Sequence, residues 1–76
     1  MLKEHELQFV LKKIGEEYIK ARGKHAPMRG AHEGYAVILE ELEELWDEVK
    51  KDKVEAAKRE AYQVAAMALA FIAEVP

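Results

Sequence analysis

The feature that most limits what this chain can fold into is the spacing of its apolar residues, which recur at three- and four-residue steps with only two interruptions. From about Leu2 to about Ala21, the residues Leu7, Val10, Leu11, Ile14, Tyr18 and Ala21 follow the pattern of an amphipathic helix. Gly15 weakens that helix by roughly 1 kcal/mol relative to alanine. A second helix is predicted from about His32 to about Lys50, where Tyr35, Ile38, Leu39, Leu42, Leu45, Trp46 and Val49 form one stripe about 120° wide. A third runs from about Val54 to about Glu74, and its later half, Val64 to Ala73, is apolar on all sides. The interruptions are Gly23 to Gly30, which holds two glycines and Pro27, and the polar turn Lys50 to Lys53. So short a turn makes the second and third helices antiparallel neighbours, and its lysines suit the negative end of the second helix.

The expected fold is therefore all-α, with antiparallel helical hairpins, three helices per chain, in one domain spanning residues 1–76. A chain of this length usually needs a staple, a metal or a partner subunit. It has no cysteine, so the staple is not a disulfide, and this fits a reducing, cytoplasmic setting. A third helix that is apolar all round is hard to cover in a three-helix monomer. We therefore expect a homodimer or homotetramer that completes a four-helix-type bundle. Nucleic acid is an unsuitable partner for a chain of net charge −3 whose cations are interleaved with acids. A membrane is no better, because the longest apolar run is too short to span one and the charged first residues carry no secretory signal.

Two polar clusters interrupt the apolar pattern: Glu40-Glu41-Leu42-Glu43-Glu44-Leu45 and Glu60-Ala61-Tyr62-Gln63. The i,i+3 spacing puts Glu41 with Glu44, and Glu60 with Gln63, each on one helix face. Acids border the stripe of the second helix on both sides, Glu41, Glu44 and Glu48 on one and Glu40, Glu43 and Asp47 on the other, so the wheel alone does not choose between them. Glu60 lies inside the apolar arc of the third helix, between the directions of Met67 and Phe71. A carboxylate there must be compensated, by a lysine or arginine of another helix or by a cation. Glu40, Glu41, Glu43 and Glu44 have no basic residue three or four positions away, whereas Asp47 and Glu48 have Lys50 and Lys51. Such a run is either a solvated face or the oxygen-rich half of a hard-cation site. His5, His25 and His32 do not converge as a zinc site requires, and Met28 and Met67 read as packing residues.

The acidic run at 40 to 45, followed sixteen residues after Glu44 by Glu60-x-x-Gln63-Val64, resembles the MazG-like, all-α NTP pyrophosphohydrolase superfamily. The likeness covers roughly residues 30 to 73, and the approach through His25-Ala26-Pro27 and His32-Glu33-Gly34-Tyr35 is also similar. In that family an ExxE on one helix and an ExxD on the next bind Mg²⁺. The resemblance implies that Glu41, Glu44 and Glu60 are catalytic and metal-binding, and that Gln63 stands at the fourth ligand position where the family has aspartate. An amide oxygen can still ligate Mg²⁺ or Mn²⁺, but it brings no charge. The implied activity is Mg²⁺-dependent cleavage of a nucleoside triphosphate to the monophosphate and pyrophosphate. The familiar enzymes often carry a basic C-terminal segment for the phosphates, and here Arg29, Lys53, Lys58 or Arg59 would have to replace it. The alternative is a catalytically silent MazG-like oligomer that binds nucleotide or a protein partner.

Overall fold

In a computed structural model that describes all of residues 1–76, the chain forms three helices and no strand: α1 (Glu4–Arg22), α2 (Ala31–Lys50) and α3 (Val54–Glu74). The observed ends differ from the expected ones by two residues or fewer, and Val54 and Glu74 match. Helix α3 lies between the other two, each of which packs on it and not on the other. Its small side chains explain this position. Ala66 and Ala70 are fully buried with Met67, and Met28 of the α1–α2 loop closes over them, ringed by Tyr18, Ala21, Val37, Ile38, Phe71 and Val75.

Gly34 in the first turns of α2 lets α2 approach this core. A Cβ at position 34 would lie 2.6 Å from the Phe71 ring and 3.2 Å from the Met28 sulfur. Alanine would gain about 1 kcal/mol of helix propensity but would overpack the contact by about 1–3 kcal/mol. Gly34→Ala is expected to lower stability by about 1 kcal/mol in urea unfolding, the reverse of what alanine does at an exposed helix position.

The turn between α2 and α3 is closed by backbone bonds from Asp52 N–H to Val49 O (3.0 Å) and Lys53 N–H to Glu48 O (3.1 Å). Asp52 takes the left-handed conformation that this termination needs, with φ 57°.

Only five residues are buried, which is few for a chain that is half apolar. The accessible surface is 5855 Å², whereas a compact monomer of this mass exposes about 4,700 Å². The radius of gyration is 13.1 Å against about 11.4 Å for a compact domain of this length. Apolar side chains are exposed on all three helices, among them Leu7, Phe9, Leu11 and Ile19 of α1. Ile38 and Leu45 of α2 turn inward, but Tyr35, Leu39, Leu42, Trp46 and Val49 stay exposed, Trp46 to 57 %. The apolar half of α3 is covered in part by the chain's own α1 and α2, which bury Ala66, Met67 and Ala70 and leave Leu69, Ile72 and Ala73 exposed. The uncovered apolar surface is thus shared among the helices, with five of its residues on α2.

Candidate functional site

Because α2 turns the border of its stripe toward α3, rather than the centre, one row of acids comes with it. Glu41 and Glu48 are half-buried there, while Glu44 of the same row is exposed, as are Glu40, Glu43 and Asp47. Glu41 and Glu44 of α2 meet Glu60 of α3, with one carboxylate oxygen from each lying within 4.8 Å of the others. Oxygens on opposite sides of a Mg²⁺ ion stand about 4.2 Å apart, so small side-chain movements bring all three to one ion.

The electrostatics are those of acids without a counter-charge. None of the three makes an ion pair, and the buried Oε2 of Glu60 has no hydrogen-bond partner. Burial, followed by the neighbouring Glu44, Glu60 and Glu40 charges, pushes the Glu41 carboxyl up to about 7. Burial, with Glu44 and Glu48, also raises Glu60, and Arg59 only partly offsets it. A lysine or arginine from another helix, the ordinary relief for a carboxylate such as Glu60, is not there. Asp47 and Glu48 do pair with Lys50 and Lys51, as their spacing predicts.

Gln63, one turn after Glu60, donates its Nε2 to Glu17 Oε2 of α1 at 2.6 Å. The amide that departs from the ExxD pattern therefore anchors a further carboxylate. Glu17, Gln63 and Glu41 line one cavity of about 510 Å³, bounded also by Lys20, Lys24 and His25. That volume lies within the range of small-molecule sites. Of the cations named as replacements for a basic tail, Arg29 pairs with Glu33 at 3.4 Å, Arg59 lies near Glu60, and Lys53 and Lys58 border a separate recess at the α2–α3 turn.

Sequence reasoning passed over Glu74. Its carboxylate accepts hydrogen bonds from Met28 N–H (2.9 Å) and the Tyr18 hydroxyl (2.7 Å), and lies 2.8 Å from Arg22 Nε. The Met28 and Tyr18 bonds hold Glu74 below the ordinary carboxylate range, and the same contact raises Tyr18. A signal existed, since at about 100° per residue Glu74 points in nearly the direction of Met67, inside the apolar arc, as Glu60 does. Glu17, Lys20 and Lys24 gave no such signal, because nothing in their local spacing marks them.

Comparison of the chain with protein families, curated proteins and solved structures finds no match. No helix is long and apolar enough to cross a membrane.

Proposed function

We propose that this chain is a MazG-like nucleoside triphosphate pyrophosphohydrolase, releasing the monophosphate and pyrophosphate, with Mg²⁺ or Mn²⁺ as cofactor. The observation that carries this reading is the convergence of Glu41, Glu44 and Glu60 from two helices, without any ion pair, beside a cavity that Glu41 shares. Bound there, a divalent cation offsets charge on the phosphates and on the carboxylates themselves. Carboxylate oxygens of the triad that are left off the ion can accept hydrogen bonds from the attacking water and orient it. Gln63 is the fourth position, and its amide, engaged by Glu17, contributes no charge.

The test is pyrophosphate release from a panel of ribo- and deoxynucleoside triphosphates with Mg²⁺ or Mn²⁺. Glu41→Gln/Glu44→Gln is expected to lower the rate at least about a hundredfold, as loss of cation-held chemistry worth several kcal/mol requires. Equal rates in wild type and variant would sink the assignment. The charge-free Gln63 favours the second reading, a silent oligomer that binds nucleotide or a protein partner, and binding without release would select it.

The same proposal includes a homodimer or homotetramer. Its support is the exposed α2 stripe together with an excess surface, spread over the whole chain, of about 1,100 Å² above that of a compact monomer. A stable interface takes about 800 Å² from each partner.

A further inference from the structure

We propose that Lys20 and Lys24 form the polyphosphate-binding wall of the cavity beside Glu41. The nature of the ligand rests on the pyrophosphohydrolase reading, whereas the grip rests on the cavity itself. Its α2 side brings Glu33, Glu40 and Glu41, while α1 and the loop after it bring Lys20, Arg22 and Lys24 beside one acid, Glu17. Acids alone repel a polyphosphate, so a phosphate chain reaching toward Glu41 needs positive charge along the rest of its length.

Not every cation there is free to supply it. Arg22 is held by Glu74 and also donates Nη1 to His25 O at 3.0 Å. Lys24 makes no ion pair, and Lys20 has only a 3.5 Å contact with Glu17. Both lysines are exposed, so they can turn toward a ligand without first breaking a buried contact.

The backbone that carries them is fixed. Lys24 and His25 N–H groups both bond to Ala21 O, at 3.0 and 2.9 Å, and Arg22 clamps the His25 carbonyl. Farther along the loop, Met28 N–H is bound to Glu74, the carboxylate that also anchors Arg22. The segment from Lys24 to Met28 is thus tied to α1 at one end and to α3 at the other, and this lowers the ordering cost of ligand binding.

The experiment is calorimetric titration of inorganic tripolyphosphate and of ATP, each with Mg²⁺, into wild type and Lys20→Gln/Lys24→Gln, with Mn²⁺ alone as a separate titration. The double variant is expected to bind both phosphate probes at least about tenfold more weakly, the scale of one lost charge-assisted hydrogen bond. Its Mn²⁺ affinity should stay within about twofold of wild type. Equal tripolyphosphate affinity in the two proteins overturns the proposal, as does a loss confined to ATP, which would move the contact to the nucleoside. Lysine-dependent tripolyphosphate binding without any triphosphate hydrolysis supports the grip while removing the enzymatic reading, so the two failures are distinct.

Discussion

Stripped of metal, the protein is expected to melt at a higher temperature at pH 5 than at pH 8, and millimolar Mn²⁺ at pH 8 is expected to restore what is lost. The Glu41 carboxyl is raised from its ordinary value of 4.5 to about 7. Between those values the folded state holds a proton that the unfolded chain has released, so stability falls as pH rises through that interval and is fully present below it. After allowance for solvent screening, the loss is on the order of 1–2 kcal/mol, or roughly 5–10 °C in a domain of this size. Glu60, also raised, acts in the same direction. Glu74 acts in the opposite one: its lowered carboxyl stabilises above the ordinary range, and that contribution disappears as pH falls through its folded value. Stability should therefore be greatest just above the ordinary carboxylate range. A cation at one hundred times its dissociation constant contributes about 2.7 kcal/mol, enough to reverse the loss at pH 8. Glu41→Gln removes one of the clustered charges, so it should melt as high as wild type or higher at pH 8 and gain little from Mn²⁺. Scanning calorimetry at pH 5 and 8, with and without Mn²⁺, reads all of this. A wild type indifferent to both pH and metal would end the metal proposal.

The sequence disclosed the helices well because periodicity, two glycine- or lysine-rich breaks and the absence of competing patterns all agree. It marked Glu60 for a simple reason, since an acid inside an apolar arc needs an explanation wherever it occurs, whereas Glu41 and Glu44 stood out from the other acids of α2 only through the resemblance to an ExxE pattern. What it could not disclose was which border of α2 turns toward α3. That depends on Gly34, whose missing side chain admits Phe71, and on which neighbour each part of the stripe meets. A wheel reports directions around one helix and says nothing about how many partners the helix has. The same limit hid the cavity. Glu17 meets Gln63 across forty-six residues, and Lys24 lies in a loop whose path is set by Arg22 and Glu74. Contacts of that separation leave no periodic trace.

Size-exclusion chromatography with light scattering is expected to show a wild-type dimer or tetramer, and Leu42→Glu/Trp46→Glu is expected to be monomeric at the same micromolar concentration. On a helical wheel the exposed residues Tyr35, Leu39, Leu42, Trp46 and Val49 cluster within about 80°, while Gly34, Glu41 and Glu48 point toward α3 about 100–140° away. Helix α2 thus divides its surface into an α3-facing side that carries two acids of the triad and an apolar side turned outward. A monomer would gain more by turning the stripe inward, so its outward position argues for a second copy as its cover. Burial of Leu42 and Trp46 is worth roughly 2 kcal/mol each, and in a two-fold interface every loss counts twice, so the dissociation constant should rise by more than about a thousandfold. Because the stripe and the triad point in different directions, the monomeric variant should keep its Mn²⁺ affinity while losing thermal stability. A wild type that is monomeric at tens of micromolar would leave the stripe without the partner proposed for it.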